Sequence, residues 1–278
     1  MSKPFPIRIR TFLVPLAGVA LYYYVQFAAL SVCAYAYNED NTISLLSKHY
    51  GSVCILESAL MFLCLFMWLY AARTSTWQTV RKDNLSMKRL LLSIPIAMAM
   101  LGIVNLYMIG FQSLSEQFPQ IKNSFDEYIR NASIAQTSVG LEAAGYYIGV
   151  GVLIPVIEEL IFRGIILGEF LSTMNANIAV LLSALIFGTM HMQPVQIGYA
   201  VVCGLILGYV YLYSNSLYLS IAIHIIFNVL GGIVPAIFTN NSVFMNALGV
   251  LELVFVFAGF FCILYLRKSY RNKLIREV

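Results

Sequence analysis

Apolar positions in this chain fall in long unbroken runs, and polar residues gather in the gaps between them. Eight runs approach the length of about 20 residues that a helix needs to cross a hydrocarbon core of about 30 Å. They cover 12–37, 50–72, 89–111, 143–168, 177–192, 196–213, 217–238 and 247–266, the fifth being short for a full span. Strands of a membrane barrel would instead read as alternating segments of about 10 residues. The pattern predicts an all-α, polytopic membrane protein with about eight transmembrane helices.

Composition agrees: 60% of residues are hydrophobic and 11% are charged, which excludes an ordinary soluble domain. The charge that exists is placed by topology. Lys3, Arg8 and Arg10 precede the first run; Arg73, Arg81, Lys82, Lys88 and Arg89 fill the second gap; Arg267, Lys268, Arg271, Lys273 and Arg276 follow the last run. An even number of spans puts all three clusters on one side, and cytoplasmic flanks collect Lys and Arg. Both termini are therefore expected in the cytoplasm of a multi-pass cell-membrane protein, with Glu39, Asp40, Glu116, Asp126 and Glu127 in the outward gaps. The net charge of +4 reads as this topology signal, and no nucleic-acid partner is expected. Ala34-Tyr35-Ala36 resembles a signal-cleavage site, but the run from Thr11 to Tyr37 is longer than a signal's apolar core of about 7–15 residues and is expected to stay as an anchor. The five cysteines all fall in predicted spans without a CxxC pair, which gives no support to a disulfide framework or a thiolate zinc site.

The polar stretch from Gln112 to Ala143 divides the chain. Residues 1–142 read as scaffold helices, with Glu57 the only acidic residue inside their spans; 143–238 hold the chemistry on a core of four helices; 239–278 supply a last span and a basic tail. Tyr22-Tyr23-Tyr24 and Tyr209, Tyr211, Tyr213 and Tyr218 suggest interfacial anchoring or lipid-facing bulk. Gly145-xxx-Gly149 and Gly204-xxx-Gly208 predict close helix approach.

Chemistry enters with Glu158, Glu159 and Arg163 inside GVLIPVIEELIFRGIIL. An ionisable residue at membrane depth costs about 2.5–3.5 kcal/mol on insertion scales, so three together mark a functional site by default. Glu159 and Arg163 stand at i, i+4 with the acid first, the better order for an ion pair. Glu158 lies about 100° round the helix, without that partner, and is the carboxylate suited to take a proton from water. Pro155 frees a carbonyl one turn earlier and opens room beside Glu158. His191, in FGTMH, and His224 with Asn228, again at i, i+4, add two imidazoles and a carboxamide. Glu158, His191, His224 and Asn228 could hold a zinc ion with an open position for water, or bind that water with no metal. His224 with Asn228 could donate to a developing oxyanion. Each element alone also has a plain reading, as an interfacial ion pair or an interhelical hydrogen bond; peptide-bond hydrolysis fits them together.

Glu158-Glu159-xxx-Arg163, Phe187-xxx-His191 and His224-xxx-Asn228 resemble, in order, the three motifs of the CPBP intramembrane proteases, also called the Abi or CAAX-protease family. The resemblance covers about 145–230. It implies an eight-helix intramembrane endopeptidase, in its metalloprotease or glutamate-dependent form, acting on a membrane-associated peptide or protein. Glu158 would activate water, Glu159 and Arg163 would support it, His191 would hold the water or metal, and His224 and Asn228 would complete the metal site or oxyanion hole. It also implies a partner such as a sensor kinase or a peptide-export system. Two rival classes remain open on the residues: a non-catalytic regulator or bacteriocin-immunity protein that binds a peptide or sensor, and a proton-coupled transporter. One tension is internal: the topology places His191 near the outer end of a short fifth span, away from Glu158, so either that helix starts deeper after a broken segment at Ser172 to Asn177, the favoured reading, or its boundary lies elsewhere.

Overall fold

The computed structural model describes residues 9–72, 86–135, 139–238 and 240–276, and every regular element among them is helical. Lys3, Arg8, Arg73, Arg81 and Lys82, which carry much of the orientation signal, lie outside the described residues, as do the side chains of Lys273 and Arg276. Helices α1 (Ile9–Tyr37) and α2 (Thr42–Ala72) form a hairpin. Asn38 turns the chain in left-handed backbone (φ 54°), and the Asn41 side chain accepts the Ile43 N–H. α2 bends at His49, whose φ of −131° and ψ of 26° are not helical, so its apolar part begins at 50, where the hydrophobic run does.

A short α3 (Met87–Leu90), capped by Ser86, leads into α4 (Ser93–Ser115). The polar stretch that follows contains a further helix, α5 (Pro119–Ala135), which lies outside the eight runs. Its half-buried positions 121, 124, 125 and 128 recur at helical spacing, and Phe125 and Tyr128 pack on Phe111 and Tyr199. The next rod, 140–173, is broken twice. α6 (Gly140–Ile148) passes through a π turn at Gly149–Leu153 into α7 (Ile154–Glu159), and a second π segment at Leu160–Leu167 leads into α8 (Gly168–Thr173). α9 (Ala176–Thr189), α10 (Pro194–Ser214) and α11 (Leu217–Asn228) follow; α11 runs through a π turn at Val229–Ile233 into α12 (Val234–Phe238), and α13 (Ser242–Arg276) closes the bundle.

Six of the eight predicted spans are helices long and apolar enough to cross a membrane. The other two are the broken rod and α9. With 14 residues, α9 is about 21 Å long, short of a hydrocarbon core of about 30 Å. The expected span 177–192 is thus corrected: the helix stops at Thr189, Met192 takes a positive φ of 60°, and Pro194 starts α10. His191 sits in the turn between them. Large apolar side chains such as Phe12, Phe66, Phe257 and Phe261 face outward, an aggregation liability in water but the surface that lipid requires.

Both small-residue pairs act as the spacing predicts. A methyl group on Gly145 would stand 3.1 Å from Gly51 backbone, and one on Gly149 2.5 Å from Cys54 Cβ, so α6 lies directly on α2. On α10, Gly204 meets Ala184 and Gly208 meets Val180 of α9. Gly188 completes this contact from the α9 side, where an added Cβ would stand 3.0 Å from the Val201 backbone N and 3.1 Å from the Ile197 carbonyl oxygen. Gly188→Val should force the two helices apart and displace the turn that carries His191; lowered thermal stability in detergent, by about 1–3 kcal/mol for overpacking, checks it.

Candidate active site

The site begins with a missing backbone donor. In the π turn the Ile154 N–H bonds to the Gly149 carbonyl, one residue further back than in an α-helix. Val150 would then receive from residue 155, which is proline and has no N–H. Asn228 supplies the donor: its Nδ2 lies 2.8 Å from the Val150 oxygen. In an α-helix Pro155 would free the carbonyl of residue 151, as the sequence predicts, but the π turn shifts the register by one residue, so the freed carbonyl is that of Val150, and it ties α11 to the broken rod.

One turn on, Glu158 and Glu159 diverge. Glu159 is fully buried and saturated. Arg163 Nη1 lies 2.9 Å from its Oε1, His224 Nδ1 lies 2.9 Å from the same oxygen, and the Ser220 hydroxyl donates to Oε2. Ser220 and His224 are i, i+4 on α11, so one face of that helix grips one carboxylate. The Arg163 contact is ionic and off the line of its N–H bonds, leaving Nη1 and Nε without a linear hydrogen bond; Nη2 donates to the Gly204 carbonyl at 3.3 Å, and the guanidinium stacks 4.6 Å above the Phe187 ring.

Glu158 faces the other way, into a cavity of about 440 Å³ that His191, His224 and Asn228 also line, whereas Glu159 and Arg163 do not. The Tyr22 hydroxyl donates to its Oε1 at 3.2 Å, and its Oε2 stands 3.6 Å from His224 Nε2. An ionised Glu159 can only accept, so His224 carries a proton on Nδ1 and turns Nε2 to the cavity. His191 is fixed by the same logic, since its Nδ1 lies 3.0 Å from the Phe187 carbonyl, which also only accepts. Phe187 stands edge-on to both imidazoles, at ring separations of 5.1 and 5.9 Å. The short α9 thus removes the tension over His191: the turn after Thr189 puts it on the cavity that Glu158 faces.

The donor set suits a metal in its chemistry. Each imidazole spends Nδ1 on a fixed oxygen, as metal-binding histidines do, and keeps Nε2 for the cavity. It is not a preformed cage, because no three His, Cys, Asp or Glu side chains among the described residues converge as a metal site. Sequence reasoning missed Tyr22, read as an anchoring aromatic, and Tyr23, which donates to the Met190 carbonyl beside His191 at 2.9 Å. Only Tyr24 of that triplet is exposed. Glu57 and Gln26 of the leading helices also line the cavity. Ser220 was findable, one turn before His224 on an apolar helix.

Fold and site together define a polytopic α-helical membrane protein with a buried carboxylate–imidazole centre. Residues 140–230 match the family model described as type II CAAX prenyl endopeptidase Rce1-like, which bears out the resemblance to the CPBP, or CAAX-protease, family and supports a CAAX-type intramembrane protease at family level. No curated protein and no solved structure matches the chain.

Proposed function

We propose that this protein is an intramembrane endopeptidase that hydrolyses a peptide bond of a membrane-associated peptide or protein, with Glu158 as general base. The observation that carries this reading is the split of the carboxylate pair: Glu159 is neutralised behind the wall, and Glu158 faces the cavity beside His224 Nε2. A water placed between them lies within hydrogen-bond reach of both, at about 2.8 Å. As its oxygen bonds to the scissile carbonyl carbon, Glu158 takes its proton and the carbonyl π electrons move to oxygen. Glu159 keeps the His224 proton on Nδ1, so the bare Nε2 accepts the water's second hydrogen and orients it for attack; that hydrogen stays on the oxygen of the acid product. Glu158 then returns the proton to nitrogen as the C–N bond breaks, releasing an acid and an amine. Asn228 holds the Val150 carbonyl and, through it, the α11 register. Glu158, His191, His224 and Asn228 are the groups that would hold a zinc ion once their side chains closed on it, and such an ion would lower the cost of making hydroxide from water. The cell membrane, with both termini in the cytoplasm, is the setting this reading takes from the basic flanks.

Mass spectrometry of peptides incubated with the purified protein or its Glu158→Gln variant tests the proposal. Products should appear only with the unaltered chain; identical products from the variant would exclude Glu158 as the base. Tyr22→Phe tests the contact from α1. It removes one hydrogen bond to a charged group, worth about 1.5–3 kcal/mol of stability, so the thermal midpoint should fall, and with Glu158 no longer held from α1 kcat should fall by about tenfold.

A further inference from the structure

Glu57 is 7% exposed, lies on α2 outside the matched segment, and lines the same cavity as Glu158. Among the described residues it makes no hydrogen bond or ion pair, and it shares the cavity with the Glu158 carboxylate. A carboxylate in an apolar wall is costly unless a complementary charge meets it. Among the described residues no Lys or Arg lines the cavity, and Arg163 is committed to Glu159. Tyr50, Cys54 and Glu57 stand at i, i+4 and i+7, so α2 presents one continuous face there, and Tyr50 and Tyr22 line the cavity with Glu57. A carboxylate and tyrosine rings on the wall of one cavity are a chemistry that recognises cations. The volume of about 440 Å³ is that of a site for a small ligand or a few side chains.

From this we infer that Glu57 and Tyr50 form a subsite for the cationic side chain, lysine or arginine, of a peptide lying across Glu158. The inference rests on the endopeptidase reading and adds its substrate class. Specificity is thereby set by the leading helices, while the chemistry is set by 140–230.

The test uses the full chain in lipid nanodiscs and decapeptide mixtures, N-acetylated and C-amidated, randomised over apolar residues except for one Lys, norleucine or Glu. A fourth mixture keeps a free N-terminal amine with norleucine, separating side chain from terminus as the source of charge. The lysine set should be cleaved with a kcat/KM at least about tenfold above the norleucine set, about 1.4 kcal/mol of discrimination, at a fixed distance from the lysine. Glu57→Gln, which keeps shape and removes charge, should bring that ratio to about one through KM, and Glu57→Lys should turn preference toward the glutamate set. A ratio that survives Glu57→Gln, or a free-amine set preferred over lysine, overturns the subsite and leaves the endopeptidase reading standing. Affinity of the same mixtures for Glu158→Gln and for Glu158→Gln/Glu57→Gln gives a readout without hydrolysis. Lysine-selective binding lost in the double variant, with no mixture cleaved by the unaltered protein, would sink the endopeptidase reading and keep the subsite. Neither cleavage nor selective binding would sink both.

Discussion

Glu158→Gln should lower peptide hydrolysis by about 10²–10⁴-fold, the contribution of a positioned general base, with little change in folding. The amide has the size of the carboxylate and keeps an oxygen to accept the Tyr22 hydroxyl, so the α1 contact at 3.2 Å survives. It carries no ion-pair partner as close as the one on Glu159, since His224 Nε2 stands 3.6 Å away, so its neutralisation strands no buried cation. The variant should therefore purify like wild type, show an unchanged thermal midpoint, and still bind peptide. That combination separates a proteolytic centre from a docking surface. A regulator that only recognises a peptide would lose affinity when the charge is removed, or nothing at all, and would have no turnover to lose. Hydrolysis within a factor of about three of wild type would exclude Glu158 as the base, because even the weakest such contribution exceeds it.

What the chain discloses in its sequence follows the range of the forces involved. Long apolar runs report the solvent, so six of the eight predicted spans return as membrane-length helices, while the broken rod and the short α9 do not; the bend at His49 even coincides with the start of the second run. Neighbours at i, i+4 are also legible, which is why Glu159 could be paired with Arg163 and Glu158 left free. The His224 and Asn228 spacing showed a shared face but not what it touches. His224 divides its ring between two glutamates, and Asn228 serves a carbonyl that exists as a free acceptor only because a π turn precedes a proline. Such backbone irregularity has no periodic signature. The residues furthest from prediction are Tyr22 and Glu57. Each lies more than a hundred positions from Glu158; Tyr22 reads as an anchoring aromatic and Glu57 as the lone acid of the scaffold spans, and only packing turns them to the cavity. The end of α9 was missed for a related reason: apolar residues continue past Thr189, and only the backbone turn at Met190 and His191 stops the helix.

Arg163→Met should be the most destabilising single change in the site, by about 3–5 kcal/mol, because it leaves a carboxylate buried without its counter-charge. Arg163 is 1% exposed and Glu159 is not exposed at all, so neither water nor lipid headgroups can compensate. Methionine fills much the same volume and keeps contact with the Phe187 ring, so the loss measured is chiefly electrostatic. The double variant Arg163→Met/Glu159→Gln removes the stranded charge along with its partner and should recover most of that stability, since buried pairs replaced together are often near neutral. Activity should not return with it. Glutamine in place of Glu159 can turn its amide donor toward Nδ1, which releases the tautomer that aims Nε2 at Glu158. Thermal unfolding in detergent reads the first quantity and peptide hydrolysis the second, and their separation is the decisive outcome. If the double variant is as unstable as Arg163→Met, the pair acts through packing against Phe187 and Gly204 rather than through charge. If it is both stable and fully active, the hydrogen bond from His224 to Glu159 has no part in catalysis, and the imidazole is positioned by its remaining contacts with Glu158 and the Phe187 ring.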